Sequence, residues 1–65
     1  MLFEKGHKYI IEWEKNPVTN ETMTYTGIVI LVTPTHIELE TIRGENVGLR
    51  IAEIKRKTEL TEGDF

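Results

Sequence analysis

The chain has 65 residues, 38 % of them hydrophobic, with a formal charge of −3 and no cysteine. That length holds one domain, residues 1–65, near the lower limit at which a single core keeps a chain folded. The missing cysteines exclude disulfides and thiolate metal sites, so stability has to come from a tightly built sheet, from oligomerisation, or from both.

Residues 7–15 alternate, with Tyr9, Ile11 and Trp13 on one face and Lys8, Glu12 and Glu14 on the other; Ile10 is the one apolar residue on the polar side. A period of two predicts a half-buried strand. Asn16 to Glu21 carries a proline and two asparagines and reads as a hairpin loop. Asn20-Glu21-Thr22 also fits a glycosylation acceptor, but without a secretory signal it is turn chemistry.

The long run over 23–33 follows, with Gly27 at its centre. A glycine there is what a strand needs in order to bend sharply and serve both halves of a small barrel. Strict alternation puts Tyr25, Val29 and Leu31 on one face and Ile28, Ile30 and Val32 on the other. Exposing the second set leaves three large aliphatic side chains in water, each worth roughly 1.5–3 kcal/mol if buried. Either the strand bends at Gly27 so that both faces reach the core, or Ile28, Ile30 and Val32 form a subunit interface. The two explanations are compatible.

Pro34-Thr35 turns the chain into a third strand over 36–42, with Ile37 and Leu39 opposed to Glu38 and Glu40. Arg43-Gly44-Glu45-Asn46 is a tight turn in which glycine and asparagine tolerate positive φ. A fourth strand over 47–51, a brief helical turn at Ala52-Glu53 and a last strand over 54–60 complete the pattern, with a frayed tail over 61–65. A helix over 50–57 competes for the last part, because Ile51 and Ile54 stand three apart. Five strands with short turns predict an all-β fold, a strongly bent small barrel. Its expected core is Tyr9, Ile11, Trp13, Val29, Leu31, Ile37, Leu39, Val47, Leu49, Ile51 and Ile54.

From Tyr25 to Ile54 the order of residues resembles the Sm-like family, whose bacterial branch is the Hfq proteins; SH3-like barrels share much of the pattern. The matching residues are Gly27 and Val29, the turn Thr33-Pro34-Thr35, the strand His36-Ile37-Glu38-Leu39, the run from Ile42 to Val47, and the closing run from Leu49 to Ile54. This covers about half the chain. The resemblance implies a five-stranded bent barrel that assembles into rings and binds RNA. Thr33 stands where the first family signature has an aspartate, and the lysine–histidine pair that helps bind uridine falls near Arg50-Ile51, without the histidine.

Two histidines, His7 and His36, have no ligand spacing around them. Glu12, Glu14, Glu38 and Glu40 alternate outward like solvated faces, and no phosphate-binding glycine loop is present, so neither catalysis nor a cofactor is expected. Net acidity argues against a general polyphosphate binder. Residues 41–58 nevertheless hold Arg43, Arg50, Lys55, Arg56 and Lys57 against Glu45 and Glu53, a net +3 that leaves −6 elsewhere. With His36 these five cations are the candidate nucleic-acid residues. No stretch is apolar enough to span a bilayer and residues 1–6 lack signal-peptide blocks, which suits a cytoplasmic protein without membrane contact. The expected function is non-catalytic protein binding or self-assembly through Ile28, Ile30 and Val32; RNA or DNA binding through the sector 43–57 is the alternative.

Overall fold

The computed structural model describes residues 2–60; the tail expected to fray over 61–65 lies outside them. Five strands form, β1 (Lys8–Asn16), β2 (Glu21–Val32), β3 (His36–Thr41), β4 (Asn46–Arg50) and β5 (Ile54–Leu60), with a 3-10 turn at Ile51–Glu53. They make one antiparallel sheet in the order β4-β3-β2-β1-β5. The helix that competed for residues 50–57 shrinks to that one turn, because from Ile54 onward the backbone finds its hydrogen-bond partners on β1.

The turns follow the local chemistry. Asn20 takes the left-handed conformation (φ 59°) that closes the first hairpin, and the Asn16 side chain accepts the N–H of Val18 at 3.0 Å. Gly44 has φ 85° in a turn closed by Thr41, whose carbonyl accepts the N–H of Gly44 at 2.8 Å and whose hydroxyl accepts that of Glu45 at 3.2 Å. Around Pro34, the Thr33 hydroxyl accepts the N–H of His36 at 2.9 Å and so holds the turn.

The core comprises Tyr9, Ile11, Val29, Ile37, Leu39, Leu49, Ile54 and Phe3, with Trp13, Tyr25, Val47 and Ile51 half-buried against it. All five strands contribute. Phe3 was not legible as core: it stands alone, outside any alternation. Its segment is tied down by Gly6, at φ 89°, whose N–H reaches the carbonyl of Val29 at 2.7 Å. The Phe3 ring then meets Tyr9 edge to face, centroids 5.2 Å apart.

Leu31 is the one expected core residue that the fold puts on the surface, 48 % exposed. The cause is a bulge in β2: Val29 pairs with Leu39, Leu31 with Glu38 and Val32 with Ile37, so Ile30 is an extra residue. One inserted residue reverses the alternation beyond it. Leu31 therefore shares the outer face with Glu38, while Val32 moves to the side of Ile37. The single strip expected from Ile28, Ile30 and Val32 is divided by the same bulge.

Gly27 lies opposite Tyr9 on β1 and Thr41 on β3. Its φ is not positive, so the position needs glycine for space and not for backbone freedom. A Cβ here would stand 2.3 Å from the carbonyl oxygen of Glu40 and 2.8 Å from the Cα of Thr41. The backbone of β3 occupies the room a side chain would take.

Candidate protein-interaction face

The outer face of the sheet is built by register. Lys8, Ile28 and Glu40 lie level across β1, β2 and β3. One row toward the first hairpin, Ile10 stands opposite Thr26 and Thr58, and the N–H of Ile42 reaches the carbonyl of Thr26 at 3.1 Å. In the other direction, Ile30 and Leu31 together oppose Glu38. Ile10, Ile28 and Leu31 thus form a diagonal apolar band across β1 and β2, neighbours at the spacing where large side chains touch. Ile28 is 43 % exposed and Ile42 73 %. Both line a depression of about 240 Å³ with Lys8 and Glu40 on its walls.

Of the three interface residues expected from sequence, only Ile28 lies in the open part of this band. Ile30 is half-buried at the bulge. Val32 belongs to another groove of about 400 Å³, with Leu2, Phe3, Pro34 and Ile51. Ile10, Leu31 and Ile42 complete the band instead. Ile10 was visible in the sequence as an apolar residue on a polar face; Leu31 was hidden by the bulge.

The six candidate nucleic-acid residues are dispersed. His36 and Arg50 pair across β3 and β4 at one end of the sheet, and the His36 ring is held by the Thr35 hydroxyl, 2.7 Å from Nδ1. Arg43 sits in the turn at the opposite end of that hairpin. Lys55, Arg56 and Lys57 lie on β5, at the other edge of the sheet. Lys55 is engaged by Glu14 at 2.8 Å, and Arg56 stands opposite Glu12. The Lys57 ammonium lies over the ring of Phe3, 4.6 Å from its centroid, a cation–π contact that points it back at the core.

The remaining polar groups hold the N-terminal segment. His7 bridges Glu4 at 3.0 Å and Glu59 at 3.1 Å. The Tyr9 hydroxyl accepts the N–H of Glu4 at 2.9 Å; burial pushes its pKa above the ordinary 10.0, and the nearby Glu59 carboxylate adds to the rise. Trp13 stacks on Tyr25 with centroids 6.3 Å apart, and its buried indole N–H has no hydrogen-bond partner. Tyr25 walls a cleft of about 450 Å³ with Met23, Ile42, Arg43 and Glu45. Among the described residues, no three His, Asp or Glu side chains are grouped so as to hold a metal ion.

No protein-family model matches this sequence, and neither a curated protein nor a solved structure matches it. The functional reading therefore rests on the geometry above.

Proposed function

We propose that this protein is a non-catalytic binding and assembly module that works by self-association through the outer face of its sheet, on an SH3-like or Sm-like small-barrel architecture. The architecture is supported by the burial of eight side chains drawn from all five strands and the N-terminal segment into one cluster. A flat sheet with nothing packed on it would leave those side chains wet. A single 3-10 turn between the last two strands also suits the family the sequence resembles.

The observation that carries the function is the exposed apolar band of Ile10, Ile28, Leu31 and Ile42. Singly exposed aliphatic residues are ordinary, but neighbouring ones on a folded sheet face mark a contact surface. Covering the exposed half of each such side chain stabilises a contact by about 1 kcal/mol. Among the described residues β4 and β5 are the outer strands of the sheet, and their edges offer a second route by which a partner strand adds to it.

Light scattering tests the reading. Wild type should show a mass above the 7.5 kDa of one chain, and Ile28→Asp should return a folded monomer. A wild-type monomer at high concentration, or an assembly indifferent to Ile28→Asp, would refute it. RNA or DNA binding is the second reading, favoured only by the pairing of His36 with Arg50 at one end of the sheet.

A further inference from the structure

We infer that the free edge of β2 at Thr22 and Thr24 is a docking site for an extended peptide segment of another protein, bound by strand addition. The site stands apart from the assembly reading above, and its test reads peptide binding and not mass. β2 runs for 12 residues and β3 for 6. Their pairing ends where Gly27 stands opposite Thr41, whereas β1 accompanies β2 as far as Glu21. The first part of β2 is therefore paired on its β1 side only.

The backbone groups of an antiparallel strand point alternately to its two neighbours. Val29 donates its N–H to the His7 carbonyl and accepts that of Gly6, so odd-numbered residues here address the β1 side. The Thr26 carbonyl accepts the N–H of Ile42, so even-numbered residues address the β3 side. Thr24 and Thr22 thus turn both backbone groups away from β1, beyond the last bond to the β3 side. Among the described residues, no backbone bond reaches them from the turn over 42–45. An open edge of this kind asks for an extended backbone.

Beside that edge lies the cleft of about 450 Å³ between residues 23–26 and residues 41–45. Its size is that of a ligand cleft, which suits a single strand better than the edge of a second folded copy. A strand laid there continues the line of β3, and its side chains alternate between two faces. One set meets Met23 and Tyr25, the latter fixed by its stack on Trp13; the other meets Thr24, Thr26 and Ile42. Arg43 and Glu45 stand on the far wall, and neither makes an ion pair among the described residues. Arg43 attracts a carboxylate, and Glu45 beside it repels a run of them. The fitting segment carries one acidic residue among apolar and hydroxyl side chains.

The probe is the blocked peptide acetyl-Thr-Val-Asp-Val-Thr-amide, titrated into isotope-labelled protein and followed by NMR. In the free protein the Thr22 and Thr24 amides should exchange quickly with solvent, while those of Met23 and Tyr25, bonded to β1, exchange slowly. Saturating peptide should slow Thr24 about tenfold or more. The same peptide methylated on every backbone nitrogen keeps its side chains, loses its donors and should not bind. Thr24→Pro removes the docking N–H, which the β1 ladder does not use; with its fold confirmed by circular dichroism, it should bind about tenfold more weakly. Exchanging the peptide's Asp for Lys should cost about fivefold, and Arg43→Glu should invert that preference.

Shifts confined to residues 22–26 and 41–45, and lost on methylation, support strand addition at this edge. Shifts centred elsewhere, or none at millimolar peptide, overturn the site. Binding of the methylated peptide as strongly as the parent overturns the backbone mode, and this arm stands even if Thr24→Pro does not fold. A Thr24 amide already slow in the free protein refutes the open edge; one slow only at high protein concentration shows that a second copy is the occupant.

Discussion

Replacing Gly27 by alanine tests the fold at its tightest point. The added Cβ falls 2.3 Å from the Glu40 carbonyl oxygen, where ordinary contact begins at 3.4 Å. Both atoms it meets belong to backbone, so no side-chain rotation relieves the overlap, and β3 must retreat by more than 1 Å. The bond from Ile42 to Thr26, already 3.1 Å long, then breaks. Losing one or two ladder bonds costs about 1 kcal/mol each, and overpacking of this kind costs about 1–3 kcal/mol. A stiffer unfolded chain returns roughly 0.4–1 kcal/mol. The net is a destabilisation of about 2–4 kcal/mol, against a total of roughly 3–10 kcal/mol for a domain of this length. Urea unfolding followed by the fluorescence of Trp13, the single tryptophan, measures it. With a slope near 1 kcal/mol/M, the midpoint should fall by about 2–4 M. Gly48→Ala on β4 is the control, because a Cβ there meets nothing within 4 Å and φ is not positive. It should be neutral or slightly stabilising. A Gly27→Ala midpoint equal to that of Gly48→Ala would refute the close-approach argument.

Ile28→Asp changes a side chain exposed in the single chain, so its unfolding midpoint should shift by about 1 kcal/mol or less while the assembly dissociates. The Tyr9 phenol has a folded pKa above its unfolded value because burial disfavours the phenolate. That contribution is complete below pH 10 and is lost as pH rises through the folded value. Absorbance titration should show a phenol ionising above pH 10, and Tyr9→Phe should remove that step. Tyr9→Phe also loses the bond from the Glu4 N–H, at a cost of about 1 kcal/mol; a late-ionising step that survives Tyr9→Phe would contradict the assignment. Arg50→Glu combined with His36→Ala should abolish any salt-sensitive nucleic-acid binding. It is a cleaner probe than Lys57→Glu, which would also remove the cation stacked on Phe3.

The strands and turns were legible because they depend on neighbours along the chain. Alternation around Tyr9, Ile11 and Ile37 marked which face is buried, and the positive φ of Asn20 and Gly44 falls in turns that residue type had already indicated. Gly27 stood out as well, but as the site of a sharp bend; that the β3 backbone fills the room of its side chain is a matter of strand pairing. What depends on pairing between strands was not legible. The bulge at Ile30 is fixed by how β2 meets β3, and it moved Leu31 outward and divided the expected interface residues. Phe3 is held in the core by contacts to Tyr9 and Lys57 that no periodicity announces. The basic residues, gathered within 43–57 of the sequence, were spread to both edges of the sheet because β4 and β5 lie at opposite ends of the strand order. Local propensity and hydrophobic period settle which segments become strands and which face they bury. Register and strand order alone decide which side chains end up beside one another on a surface, and those quantities are set by long-range hydrogen bonding across the sheet.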